Sequence, residues 1–190
     1  MSIGSLLVLA LLAIGAVYAV VLYNGLVSLK HTVAKSLANI DVLLKQRHDE
    51  LPKLVETCKQ YMQYEQQTLE RVISARTHVA QAQQRGDIAA LGAAEGELRA
   101  GLGHLFALAE NYPDLKSNDT FRQLQDRITG LENAIADRRE IYNESVNNNN
   151  VRIEQFPDAV LARLFNFKAL TLLQFSSEEK SDVDIAALFK

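Results

Sequence analysis

The chain has 190 residues, a formal net charge of −3 and a single cysteine, which suits one domain and excludes an internal disulfide or a cysteine-rich metal site. Lys and Arg form no cluster in the sequence, which argues against a nucleic-acid-binding surface. The charges are unevenly distributed: residues 1–29 contain none, whereas the chain from Lys30 onward contains many of both signs. The N-terminal segment and the rest of the chain therefore belong in different environments.

Residues 3–23 are almost entirely apolar and long enough to cross a membrane as a helix, which takes about 20 residues. No Lys or Arg precedes them and the helical pattern continues past them, so an uncleaved anchor is favoured over a signal peptide. We predict a transmembrane anchor over residues 1–26. The basic residues that follow it are Lys30, Lys35, Lys45 and Arg47. By the positive-inside tendency, the N-terminus is expected outside and the body of the protein in the cytoplasm.

Past the anchor, apolar residues recur three and four positions apart, which is the spacing of amphipathic helices. We expect the anchor helix to continue without a joint and to end near His48–Asp49. Pro52 fits the first turn of a second helix, because the N–H that proline lacks has no partner there. Gly86 can then adopt the left-handed C-cap of the second helix, and Asp87 can cap the third.

A fourth helix, capped by Asn118 or Asp119, carries apolar residues in the alternation of a coiled coil. It runs to Pro157 or frays at the asparagines 147–150, which have poor helix propensity. Because the turns between helices are short, neighbouring helices must be antiparallel. The predicted fold is all-α: an N-terminal transmembrane helix that continues into an elongated antiparallel four-helix bundle over residues 27–157.

Such a bundle returns the chain to the bilayer surface, where residues 158–175 form a short amphipathic arm that contains Arg163 and Lys168. These two charges argue against a second membrane span. We favour an interfacial helix or an arm docked on another subunit, with packing onto its own bundle as the alternative. The residues expected to contact membrane or subunit are Val160, Leu161, Leu164, Phe165, Phe167, Leu172 and Phe175. Residues 176–190 are expected to form a flexible tail.

The sequence contains none of the spaced motifs that hold metals or phosphates in helical or P-loop proteins, and its four histidines lie far apart. We therefore predict no catalytic residue, no metal site and no cofactor. One polar feature is of interest, because charged residues at similar heights in the bundle could form a paired interior layer that fixes helix register. The residues of this predicted layer are Glu65, Arg76, Glu95, Glu97 and Arg138. The alternative is that these long side chains extend to solvent.

Several short motifs occur in an order typical of one family. They are Tyr23-Asn24-Gly25-Leu26, Ile40-Asp41-Val42, Arg47-His48-Asp49-x-x-Pro52, Glu110-Asn111-Tyr112-Pro113-Asp114-Leu115-Lys116, Glu132-Asn133, Arg138-Arg139 and Phe156-Pro157. Over nearly the whole chain the sequence resembles the LemA family. The resemblance implies a single-pass protein of the bacterial inner membrane with a cytoplasmic helical bundle, and it supplies no catalytic residues. The chain departs from the family pattern at Leu37-Ala38-Asn39, in its asparagine run and at its C-terminal end.

These observations favour a non-catalytic, membrane-anchored scaffold. Its expected partners are membrane lipid, further copies of the same chain and other membrane proteins, and nucleic acid is not among them. The alternative is a signalling or accessory subunit that couples its membrane helix to a cytoplasmic partner. An enzyme is disfavoured, because a straight bundle offers no concave polar pocket.

Overall fold

The computed structural model describes residues 3–174, and within that range it contains six helices and no strand. The helices are α1 (Ile3–Lys59), α2 (Gln66–Arg85), α3 (Ile88–Ala109), α4 (Pro113–Ser117), α5 (Asp119–Glu154) and α6 (Asp158–Leu164). The predicted all-α class and the long apolar N-terminal helix are confirmed. The arrangement of the helices as one antiparallel four-helix bundle stays a prediction, and so do the predicted domain limits. Phe175 and the tail predicted over residues 176–190 lie outside the described residues.

The first part of α1 is an apolar helix with an apolar surface. From Ile3 to Val21, its large apolar side chains are between 52% and 80% exposed. The exposure of such a continuous apolar surface to water is unfavourable. By length and composition this is the one described helix that could cross a membrane.

The end of α1 differs from the prediction. We expected the helix to end near His48–Asp49 and a second helix to begin at Pro52, but α1 continues to Lys59 with Pro52 inside it. Proline usually disfavours a helix interior because it cannot donate to the carbonyl four residues earlier, here that of His48. In this structure the Nε of Arg76 donates to that carbonyl at 3.0 Å. The lost backbone bond is thus replaced by a side chain from α2.

The described chain folds as two compact units, one made of residues 3–40 and 138–172 and the other of residues 41–137 and 173–174. We call them the terminal unit and the central unit. Both α1 and α5 contribute residues to each unit.

In the central unit, α2 and α3 pack against each other as a hairpin closed by a two-residue turn. Gly86 is left-handed, with φ 64°, and Asp87 Oδ1 accepts a hydrogen bond from the N–H of Ala90 at 3.0 Å. Both roles agree with the sequence prediction. The close packing is visible at Gly101, where an added Cβ would lie 3.6 Å from Val72.

In the central unit, α1 and α5 are also joined by an ion pair. Arg127 of α5 lies 2.7 Å from Glu50 of α1. The Asn118 side chain caps α5, accepting from the N–H of Phe121 at 3.0 Å, as predicted. The core side chains with no more than 1% exposure include Leu51, Leu54, Cys58, Met62, Val72, Leu98, Leu105, Leu115, Phe121 and Ile128.

In the terminal unit, α1 and α5 lie side by side. The hydroxyl oxygens of Ser36 and Ser145 are 3.3 Å apart, and Leu26 and Val146 are fully buried. The α5 helix does not fray at the asparagines but continues to Glu154.

The residues after α5 form an arm that is helical only in its first part. Only the residues of α6 are helical, whereas residues 165–174 follow an irregular path outside any helix. Two side chains of α5 hold this part of the chain. The amide of Asn150 both donates to the carbonyl of Leu170 at 2.9 Å and accepts from its N–H at 2.8 Å. The hydroxyl of Tyr142 donates to the carbonyl of Thr171 at 2.9 Å.

Candidate functional site

A buried ion cluster lies inside the central unit. The guanidinium of Arg47, on α1, binds the carboxylates of Glu95, on α3, and Glu132, on α5. The Arg47–Glu132 distance is 2.5 Å. The side chains are 1%, 2% and 16% exposed, respectively. We call these three residues the Arg47 cluster.

Electrostatics keep Arg47 charged in this position. Burial alone would lower the pKa of its guanidinium, but the charges and hydrogen bonds of Glu95 and Glu132 outweigh burial and raise the pKa above its ordinary value. A buried charge is tolerated only when it is paired in this way. The cluster joins residues of three helices, α1, α3 and α5. Buried ionic contacts of this kind can fix the register of the helices that they join.

Of the five residues predicted to form an interior charged layer, the structure places only Glu95 in the Arg47 cluster. Glu97 is exposed and lies 3.0 Å from the Nδ1 of His78. Glu65 precedes the first turn of α2, where its Oε1 lies 3.4 Å from the Tyr112 hydroxyl. Arg138 is exposed in the terminal unit.

The fifth predicted residue, Arg76, is half-buried and binds the carbonyl of His48 rather than a carboxylate of the cluster. The Arg76 guanidinium also affects the His48 imidazole. Burial first, and the Arg76 charge second, lower the pKa of His48 below its ordinary value of 6.5.

Two members of the cluster, Arg47 and Glu132, were missed by the sequence analysis. A signal for Arg47 was present, because residue 47 continues the stripe of Ile40 and Leu44 at helical spacing. Because the helix was predicted to end near His48–Asp49, Arg47 was placed in its last turn, where charged side chains are usually exposed to solvent. Glu132 follows Ile128 by one helical turn, which is the corresponding signal on α5.

A second candidate site lies in the terminal unit, where the arm meets α1. The ring of Tyr23 lies 4.8 Å from that of Phe165 and 6.0 Å from that of Phe167, measured between centroids. Arg152 Nε lies 2.8 Å from the buried carboxylate of Asp158, the first residue of α6. These contacts attach the arm beside the end of the apolar segment of α1.

The residues predicted to contact membrane or subunit differ in exposure. Val160, Leu164 and Phe165 are 59%, 73% and 53% exposed. The half-buried members are Leu161, Phe167 and Leu172, and Phe175 lies outside the described residues. The arm therefore leaves Val160, Leu164 and part of Phe165 exposed, whereas the rings of Phe165 and Phe167 both lie near Tyr23.

The remaining chemistry of the described chain is sparse. No group of three His, Cys, Asp or Glu side chains within residues 3–174 is placed to hold a metal ion. Cys58 is buried, and burial raises the pKa of its thiol to about 12, which disfavours the reactive thiolate. A groove of about 860 Å³ lies where α1 ends and α2 begins, and Val55, Met62, Leu69 and Ile73 are among the residues that line it.

Comparison with known proteins identifies the family. The family model described as the LemA family matches residues 36–186. The magnetosome proteins MamQ 1 and MamQ 2 of Paramagnetospirillum magneticum are each 26% identical to this chain over 195 aligned positions, which cover 90% of this chain and 72% of the relative. The magnetosome protein MamQ of Magnetospirillum gryphiswaldense is 25% identical over 169 positions, which cover 77% and 62%.

The family, the relatives and the apolar segment of α1 together suggest a membrane-associated protein. Because the family model spans well over half of its length, this protein belongs to the LemA family.

Proposed function

We propose that this protein is a non-catalytic, membrane-anchored helical scaffold at the bacterial inner membrane, which self-associates or docks partners there. The observation that carries the proposal is the apolar surface of α1 between Ile3 and Val21, whose large side chains are more than half exposed. A lipid environment is the one in which such a surface is favourable. The charged, water-compatible helices then lie outside the lipid.

The orientation follows from the residues that flank the span. Lys30 and Lys35 are exposed on α1 shortly after the apolar segment, whereas residues 1 and 2 are not basic. The positive-inside tendency supports a cytoplasmic body and an external N-terminus.

A structural rather than catalytic role is supported by the state of the charged groups. The Arg47 cluster is largely shielded from solvent, and its guanidinium binds both of its carboxylates. Groups in this arrangement hold helices together and do not meet a substrate. The buried, high-pKa thiol of Cys58 is likewise unsuited to nucleophilic chemistry.

Self-association is supported by apolar side chains that remain exposed beyond the anchor. Tyr64, Phe156 and Val42 are 94%, 85% and 58% exposed. Exposed apolar residues of this size are common in protein–protein contacts, where aromatic residues are enriched.

A signalling or accessory subunit is the second candidate function. It is favoured by the continuity of α1, which runs without a break from Ile3 to Lys59 and so joins the apolar segment to charged residues of the body. A change in the lipid-embedded segment would then reach a cytoplasmic partner through one helix.

The deciding experiment is native mass measurement of the full-length protein purified in mild detergent, after carbonate extraction of the membranes. A homo-oligomer from carbonate-resistant membranes supports the scaffold. A small complex with a different membrane protein supports the accessory subunit instead. Release of the protein by carbonate overturns both proposals, because both depend on the anchor.

Orientation is tested by labelling with a membrane-impermeant maleimide. The variant Lys45→Cys places a thiol at an exposed position of α1, and Ser2→Cys places one before the span. We expect intact spheroplasts to be labelled only at residue 2 and lysed ones at both positions. The reverse pattern would place the body of the protein outside the cytoplasm.

A further inference from the structure

The arm is attached to α1 at the level where the apolar segment ends. At one end of α6, Asp158 pairs with Arg152. The guanidinium of Arg152 in turn lies against Gly25, where an added Cβ would be 3.6 Å from its Nη2. At the other end of α6, Phe165 packs on Tyr23. Both ends of α6 are thus fixed beside residues 23–25.

The α6 helix places Asp158 and Ala162 inward and Val160 and Leu164 outward. Asp158 and Ala162, one turn apart, are 5% and 2% exposed. Val160 and Leu164, also one turn apart, are 59% and 73% exposed. A surface helix in contact with water shows the opposite pattern, with its large apolar side chains buried. The outward face of α6 therefore fits an apolar surrounding.

The arm contacts α1 at the end of its exposed apolar segment. Val20 and Val21 are 58% and 61% exposed, and Tyr23, which follows them, contacts the arm. Tyrosine is enriched where a membrane helix meets the headgroup region. If the apolar segment spans the bilayer, the arm lies at the depth of the headgroups.

The charges of the arm favour anionic headgroups. Arg163 and Lys168 are exposed. Among residues 158–174 the only acidic residue is Asp158, and it is buried and paired with Arg152. Large apolar side chains accompanied by Lys and Arg characterise helices that lie in a membrane interface and bind anionic lipids.

We infer that residues 158–168 form an interfacial element that inserts Val160, Leu164 and Phe165 among the lipids beside α1 and binds anionic phospholipid headgroups through Arg163 and Lys168. The inference rests on the proposed membrane anchor. It assigns the arm a lipid partner rather than a second copy of the chain.

The test uses the full-length protein in vesicles, with an environment-sensitive fluorophore on a single introduced thiol. The native Cys58 is buried and can be retained. The reporter is Val160→Cys, the control is Ile141→Cys, and a third variant, Val17→Cys, reports on the anchor. Ile141 is 44% exposed in the same unit and lies about 16 Å along α5 from Arg152.

In vesicles of phosphatidylcholine with phosphatidylglycerol, we expect the labels at residues 17 and 160 to emit at shorter wavelength and to be quenched by brominated lipids. The label at residue 141 should behave as in water. Quenching at residue 17 but not at residue 160 would overturn the lipid contact of the arm and leave the anchor intact. An unquenched label at residue 17 would overturn the anchor and the inference with it. If the label at residue 160 is shielded from water only at a high protein-to-lipid ratio, the outward face of α6 contacts a second copy of the chain instead of lipid.

The charge component is tested by the double variant Arg163→Gln/Lys168→Gln carrying the same label at residue 160. Replacing phosphatidylglycerol by phosphatidylcholine should reduce quenching in the parent and leave it unchanged in the double variant. Equal dependence on phosphatidylglycerol in both would overturn the headgroup assignment. Circular dichroism of the labelled variants checks that the helical content is unaltered.

Discussion

The side chains of Arg47 and Glu95 form a salt bridge within the central unit in which both partners are almost fully shielded, at 1% and 2% exposure. Each charge has lost its hydration and depends on the other for compensation. Such a pair contributes little compared with a well-packed apolar pair, but the loss of one partner is costly because it strands the other charge.

We therefore expect Arg47→Met to lower the free energy of unfolding by about 3–5 kcal/mol. The double variant Arg47→Met/Glu95→Leu should be more stable than Arg47→Met, because it removes one of the stranded carboxylates. Thermal and denaturant unfolding in mild detergent, followed by circular dichroism, measures both effects.

The matched control is Lys45→Ala, which removes a salt bridge to Asp49 whose side chains are 75% and 57% exposed. Exposed pairs of this kind contribute almost nothing, so no measurable change is expected. If Arg47→Met were as stable as Lys45→Ala, the account of the cluster would be wrong.

The bond from Arg76 to the carbonyl of His48 predicts a coupling with Pro52. Arg76→Ala should cost about 1 kcal/mol, since it leaves that carbonyl without its partner. In a Pro52→Ala background the cost should largely vanish, because the alanine N–H can bind the His48 carbonyl within the helix. A double-mutant cycle of unfolding free energies measures this coupling, and additive effects would contradict it.

The same Arg76→Ala variant provides a second readout. Burial and the Arg76 charge lower the pKa of His48, so removal of that charge should raise the pKa toward its ordinary value. Titration of the His48 ring by NMR checks the direction of the shift.

The buried thiol of Cys58 predicts a loss of stability at alkaline pH. Its pKa is raised from 9.0 to about 12 by burial. Above pH 9 the unfolded chain gains stability by losing this proton, whereas the folded chain retains it until pH is near 12. The contribution of the protonated Cys58 thiol to the free energy of unfolding is complete below pH 9. Between pH 9 and the raised pKa it falls by about 1.4 kcal/mol for each pH unit.

Cys58→Ala isolates this contribution, because every other titrating group is shared with the parent. The alanine leaves a cavity whose cost does not depend on pH. The stability advantage of the parent over the variant should therefore shrink as pH rises above 9, and a constant difference would argue against a buried thiol.

The two hydrogen bonds between Asn150 and the backbone of Leu170 predict that this asparagine, beside Tyr142, contributes to holding the arm. Asn150→Ala removes both bonds, each with a net value of about 0.5–1.5 kcal/mol. Amide hydrogen exchange of residues 166–172 should accelerate about tenfold or more. Asn148 lies in the same run and is exposed, so Asn148→Ala should leave the exchange rate unchanged.

Features with local causes could be predicted from the sequence, whereas features with distant causes could not. The turn at Gly86 and Asp87 needs only a residue that tolerates positive φ and one that caps a helix, and both are visible in sequence. The helix continues through Pro52 because a side chain from α2 meets the open carbonyl, and no local pattern contains that information.

In the candidate sites, too, features with local causes could be predicted from the sequence and features with distant causes could not. The apolar residues of 158–175 predicted an amphipathic arm, but the tertiary bonds from Tyr142 and Asn150 that hold its second part in a non-helical path are not visible in the sequence. Glu95 was identified as an interior charge. Its partner Arg47 lies 48 positions earlier in sequence, and only the folded chain shows that the two meet.

The separations within the Arg47 cluster also bear on the order of events during synthesis. Arg47 leaves the ribosome 48 residues before Glu95 and 85 residues before Glu132. The α2–α3 hairpin closes over a two-residue turn and can form from neighbouring segments alone, whereas contacts of long sequence separation form late. The nascent chain therefore carries Arg47 without a cluster partner until Glu95 of α3 has been synthesised, and Glu132 of α5 is the last of the three side chains to arrive.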